Sequence, residues 1–206
     1  MALFQWLLES LSADGAHLTG GLDLGLADYN PTVLQLVTLP NLILSWAQVT
    51  SKESWELEGE LEIDKELLQD FLTSLNSNGI TVSFLSGAWS PDFVQLVVEK
   101  MGSGPAGFTV LGAETIYSPV ALKSFAYTLT ALLQTISAAE KTAIVAAKKV
   151  YFGVGGSMED FCDLMRANGM DVEQLREESD GVRRVVVEVK NKGQRAWNAD
   201  NASLTL

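Results

Sequence analysis

The chain has 206 residues, nearly half of them apolar, and carries a net charge of −12. That length suits one domain with a sizeable core, and the apolar share argues against disorder. Only "GVRRVVVEVKNKGQR" (181–195) is locally basic, so a long nucleic-acid footprint, and with it direct nucleic-acid binding, is not expected.

Taken in chain order, residues 2–12 are helical by pattern, with Leu3, Trp6, Leu7 and Leu11 at helical spacing. The segment lacks a basic n-region and contains Glu9, so it reads as an amphipathic helix rather than a signal core. "LDLGLAD" (22–28) is a short strand ending in an acid. Asn30 then caps a helix with Pro31 in its first turn and Val33, Leu36, Val37 and Leu44 on its apolar face. Pro40 is expected to kink or split that helix. Residues 50–66 form an acidic surface insertion. Asp64 caps a further helix, where Leu67, Leu68, Phe71, Leu72 and Leu75 line one face until Gly79 stops it. A strand over 80–85, a capped helix over 90–101 and a strand over 108–114 follow. Next come a long helix over 118–136, a strand over 141–152 and a helix over 157–168. Two strands, 171–179 and 182–190, close the chain as a hairpin turning at Asp180 and Gly181. Strand and helix alternate throughout, which predicts an α/β fold, a doubly wound, mostly parallel Rossmann-like sheet with an antiparallel C-terminal edge, in a single domain over 1–206.

The chemistry-bearing residues are few. Cys162 is the one cysteine; it excludes an internal disulfide framework and shares a helix face with Phe161 and Met165 as a buried thiol. The single histidine, His17, has no Cys or His at ligand spacing, so neither a metal site nor a Ser-His-Asp triad is expected. No apolar run reaches transmembrane length, and no membrane partner is expected. "KKVYFGVGGSMEDF" (148–161) has the strand, glycine turn and helix start of a phosphate cradle. It lacks the third glycine of G-x-G-x-x-G, however, because Met158 stands there. A dinucleotide oxidoreductase would need a complete G-x-G-x-x-G after the first strand, and the chain has none.

Four stretches, in order and spacing, carry a resemblance: "ADYNPTVLQLVTLPN" (27–41), "FLSGAWS" (84–90), "GAETIYSP" (112–119) and "AAKKVYFGVGG" (146–156). Together they resemble the protein-histidine N-methyltransferases, seven-strand S-adenosylmethionine enzymes that modify a histidine of a large-subunit ribosomal protein, and look closest to the fungal members. The resemblance covers roughly residues 2–190. Related lysine methyltransferases share the acid after the second strand and the Trp after the third.

The resemblance implies S-adenosylmethionine as cofactor. Asp28 would accept the ribose hydroxyls, with Tyr29 beside it. Gly87 would let the backbone approach the purine, Trp89 would pack on the adenine, and Ala113 would lie at the next strand end. Glu114 is the expected catalytic carboxylate, orienting the target imidazole, and Tyr117 would line the same pocket; a helix-capping Glu114 and a packing Tyr117 are the alternative. Tyr151, Gly153, Gly155 and Gly156 would form a substrate-facing loop. The implied partner is a protein substrate, a ribosomal protein, in a cytoplasmic or nuclear setting. Set against the family, Met1 falls just beyond the first strand and its glycine-rich turn. Two exposed strand edges are therefore expected, and a catalytically inactive, truncated methyltransferase-like protein is the alternative.

Overall fold

The computed structural model describes residues 2–14, 20–50, 59–102, 107–178 and 181–193. His17, residues 51–58 of the acidic insertion and Asp180 lie outside these residues. The elements follow the sequence pattern closely because each helix start is written locally. Asn30, Asp64, Ser90, Ser118 and Ser157 each accept a backbone N–H of the first turn from their own side chains. Pro31, Pro91 and Pro119 occupy first-turn positions, where a missing N–H costs nothing.

The described residues up to Gly87 form one compact unit, and those from Ala88 onward form another. In the first, β1 (Leu22–Asp28) pairs in parallel with β2 (Ile80–Ser86). Its helices are α1 (Ala2–Asp14), α2 (Pro31–Val33), α3 (Leu39–Thr50) and α4 (Lys65–Ser77). The core gathers Phe4, Leu42, Ile43, Trp46, Phe71 and Ile80, and the Trp46 and Phe71 rings meet edge to face at 5.6 Å.

Between α2 and α3 the backbone runs as a π-helical turn, Leu34–Thr38, in which Leu39 N–H reaches back to Leu34 O. Pro40 follows at once, so the break in hydrogen-bond register absorbs the missing proline donor and the helix runs on through it without splitting. The extra residue in that turn also rotates the buried face. Leu36 and Val37, expected inside, are 65% and 51% exposed, while Leu34, Leu42, Ile43 and Trp46 are buried. As a result Pro31–Thr50 is one 20-residue helix of mean hydropathy 1.3, long and apolar enough to cross a membrane by length, contrary to the sequence expectation. Its buried side chains belong to the core just described.

In the second unit the strand order is β3 (Gly107–Ala113), β4 (Glu140–Lys148), β6 (Arg184–Asn191), β5 (Met170–Glu178). β3 and β4 are parallel; β4–β6 and β6–β5 are antiparallel. The helices are α5 (Pro91–Met101), α6 (Pro119–Thr135) and α7 (Met158–Ala167). Ile116, Leu129, Leu133, Val145, Phe161, Met165, Val187 and Val189 are fully buried together. Cys162 lies in that core, and burial pushes its thiol pKa up, away from reactivity.

The mixed α/β character, the parallel pairs and the antiparallel terminal hairpin are those expected. The described strands, however, form two sheets rather than one. Among the described residues β1 pairs only with β2 and β3 only with β4, so each carries one unpaired edge.

Candidate active site

Glu114 is the first residue past β3, and its N–H still donates to Ala146 O on β4 at 3.0 Å. Its backbone then turns into the left-handed region, φ 56°, the one non-glycine among the described residues to do so. A glutamate has no intrinsic reason to be there, and such strain persists only where the surroundings impose it. The imposed contacts are clear. Tyr151 Oη donates to Glu114 Oε2 at 2.7 Å, and Arg184 Nε stands 3.6 Å from Oε1.

Tyr151 is 7% exposed, so its side chain turns inward onto Glu114 while its neighbours Phe152 and Val154 face solvent. The Tyr151 hydroxyl also accepts the Lys148 N–H at 3.3 Å, and the Lys148 ammonium sits 5.6 Å from the ring centroid. Burial, and then the hydrogen bond to Glu114, push the phenol up to about 12. It therefore stays a proton donor at any physiological pH.

Glu114 is not a helix cap: Ser118 holds that role, accepting the Ala121 N–H at 3.2 Å. Nor is Tyr117 core packing, since it is 53% exposed. Ile116, between them, is fully buried and pins the segment.

The glycine run does not cradle phosphate. Val154 and Gly155 both donate their N–H groups to Tyr151 O, and Tyr151 N–H returns to Gly156 O at 2.9 Å. Gly153 and Gly155 hold φ values of 79° and 85°, which the tight turn requires. A Cβ on Gly156 would stand 2.2 Å from Ile116 O and 2.7 Å from Tyr117 C, so glycine lets the loop lie directly on the segment after Glu114. The start of α7 carries Ser157, Glu159 and Asp160, with Ser157 Oγ donating to Asp160 Oδ2 at 2.6 Å; it repels rather than invites an anion.

The cofactor candidates divide between the units. In the first, Asp28 ends β1, half-buried, and its Oδ1 accepts the Asn30 N–H at 2.8 Å; among the described residues no second donor meets the carboxylate. Gly87 N–H reaches Asp28 O at 3.4 Å, which ties the ends of β1 and β2 together. Tyr29 is 72% exposed. In the second, Trp89 is half-buried, edge-on to Phe93 at 5.0 Å and to Phe125 at 5.6 Å. Its ring thus joins the core and keeps part of its surface accessible. Ala113 is exposed at the end of β3. Among the described residues no cluster of His, Cys, Asp or Glu comes together that could hold a metal.

Sequence reasoning missed Arg184. The signal was present in the basic pair opening "RRVVVEVK", but it read only as a charged strand edge.

Strand–helix alternation with parallel strand pairs defines an α/β protein of the Rossmann-like class. Within that class, the chain is homologous to the fungal histidine protein methyltransferases. It is 40% identical over 154 residues to Histidine protein methyltransferase 1 of Saccharomyces cerevisiae, covering 68% of this chain and 40% of that protein. To the Schizosaccharomyces pombe protein of the same name it is 38% identical over 135 residues, covering 65% and 38%. The chain thus spans about two fifths of the length of these relatives. No family model matches it. Among solved structures it is similar to the N-terminal domain of EvdMO1 in the presence of SAH and D-fucose, at 11% identity and a TM-score of 0.39, covering 91% of this chain and 82% of that one.

Proposed function

We propose that this chain transfers a methyl group from S-adenosylmethionine to a histidine of a protein substrate, a large-subunit ribosomal protein, in the cytoplasm or nucleus. The names of its relatives support the reaction class. The observation that carries the reading is Glu114 itself, a strand-end carboxylate held in strained backbone by two side-chain partners and still accessible.

The cofactor supplies an electrophilic methyl, and the protein's work is to position a neutral ring nitrogen. A carboxylate accepting one imidazole N–H fixes the tautomer, leaves the other nitrogen free to attack and stabilises the imidazolium that develops. Glu114 retains lone pairs for that task, because only Tyr151 hydrogen-bonds its carboxylate, while Arg184 pairs with it at 3.6 Å, beyond hydrogen-bond distance. Asp28, with an oxygen that meets no protein donor among the described residues, suits a pair of ribose hydroxyls. In the second unit Trp89 suits an adenine face and Ala113 ends β3; in the first, Tyr29 follows β1 and Gly87 follows β2. Tyr117, exposed beside Glu114, suits the substrate side.

A second reading, a methyltransferase-like protein that binds no cofactor, is favoured by the unpaired edges of β1 and β3. Calorimetric titration with S-adenosylhomocysteine separates the two. Micromolar binding is expected, together with methyl incorporation at histidine when large ribosomal subunits are supplied. Absence of binding by the folded chain would sink the first reading, and incorporation at lysine would redirect it to a lysine methyltransferase.

A further inference from the structure

Glu114 is held from two sides by groups that its own strand does not supply. Tyr151 comes from the turn after β4 and Arg184 from the start of β6. The Tyr151 ring is buried, and its hydroxyl donates to Glu114 and accepts the Lys148 N–H, which together set its rotor. Arg184 brings a planar guanidinium to the other carboxylate oxygen.

Folding stability accounts for the Tyr151 hydrogen bond but not for the rest of this arrangement. The Arg184 and Glu114 side chains are 49% and 44% exposed, and an ion pair so open to water adds little to stability. The left-handed Glu114 backbone works against folding. A strained, solvent-facing carboxylate with two dedicated holders is what a pre-aimed acceptor requires.

We propose that Tyr151 and Arg184 are positioning residues, one on each oxygen of Glu114, which together present the remaining carboxylate edge at a single angle to the substrate imidazole. The inference rests on the reading of Glu114 as the imidazole-orienting group. Neither residue touches the reacting atoms; both act through Glu114.

The test is a double-mutant cycle on the 206-residue chain, with tritiated S-adenosylmethionine and large ribosomal subunits as acceptor. Tyr151→Phe and Arg184→Gln are each expected to lower kcat about tenfold or more, with KM within about twofold. Neither should lower it further in a Glu114→Gln background, and Arg184→Lys should recover part of the loss. Equal fold-losses with and without Glu114 would mean a structural role and overturn the proposal. Full activity in Glu114→Gln would instead overturn the reading beneath it.

A second measurement needs no turnover: the Tyr151 phenol followed by NMR of ¹³Cζ-labelled tyrosine, assigned by its loss in Tyr151→Phe. Around that phenol stand Glu114, Arg184 and the Lys148 ammonium. Glu114→Gln should bring its midpoint down from about 12, and Arg184→Gln should not. A midpoint unmoved by Glu114→Gln would overturn the geometry on which the proposal stands.

Discussion

Two carboxylates stand at strand ends in this chain, and they are built on opposite plans. Asp28 keeps ordinary backbone geometry, caps its own turn through the Asn30 N–H and offers the rest of its acceptor capacity. Glu114 sits in strained backbone, gripped by Tyr151 and Arg184. An acceptor for flexible hydroxyls needs only to be present and ionised. One that must select a tautomer has to be aimed, and aiming requires partners from elsewhere in the chain. On the proposed function, the difference separates a binding group from one whose direction matters.

The comparison can be broken most severely at Glu114. Glu114→Ala is expected to leave S-adenosylhomocysteine affinity unchanged by calorimetry while cutting turnover about 10²–10³-fold. Parallel losses in both would place Glu114 in the cofactor site instead. Next in size is Gly156→Ala, whose Cβ would collide with the Ile116 and Tyr117 backbone. It should cost about 3 kcal/mol in urea unfolding and lower activity with it. Asp28→Ala should do the reverse of Glu114→Ala, weakening S-adenosylhomocysteine by about tenfold or more with little change in the rate at saturation. Tyr151→Phe removes a hydrogen bond to a charged acceptor and should cost about 1–2 kcal/mol near neutral pH.

The same phenol gives a pH signature. Its folded pKa is raised, so the protein holds that proton more tightly folded than unfolded. The associated stability is complete below about 10 and is lost as pH rises toward about 12. Tyr151→Phe should flatten that part of the unfolding curve. The smallest effect belongs to the other strand end, where Asn30→Ala should cost about 1 kcal/mol through the lost Thr32 N–H cap and leave turnover alone.

Much of this was legible in the residues. The strand over 22–28 was placed to the residue, and helix starts at Asn30, Asp64, Ser90, Ser118 and Ser157 follow from side chains acting within three positions. Asp28 and Glu114 were named through the family resemblance, whose motifs fall on the ends of two strands. The face of the helix after Asn30 was misjudged because a π turn shifts the phase that a fixed period assumes. Tyr151 was taken for part of a substrate-facing loop; its side chain instead lies buried on a carboxylate 37 residues away. Arg184 was not seen at all.

The sequence by itself therefore determined where the helices after Asn30, Asp64, Ser90, Ser118 and Ser157 start, since caps act over a few residues; the strand expected over 141–152 ends at Lys148 instead. The tertiary structure alone decided what holds Glu114. That grip depends on β3, β4 and β6 lying side by side in one sheet. Pairing between distant strands is set by the packing of the whole core, which no local pattern records.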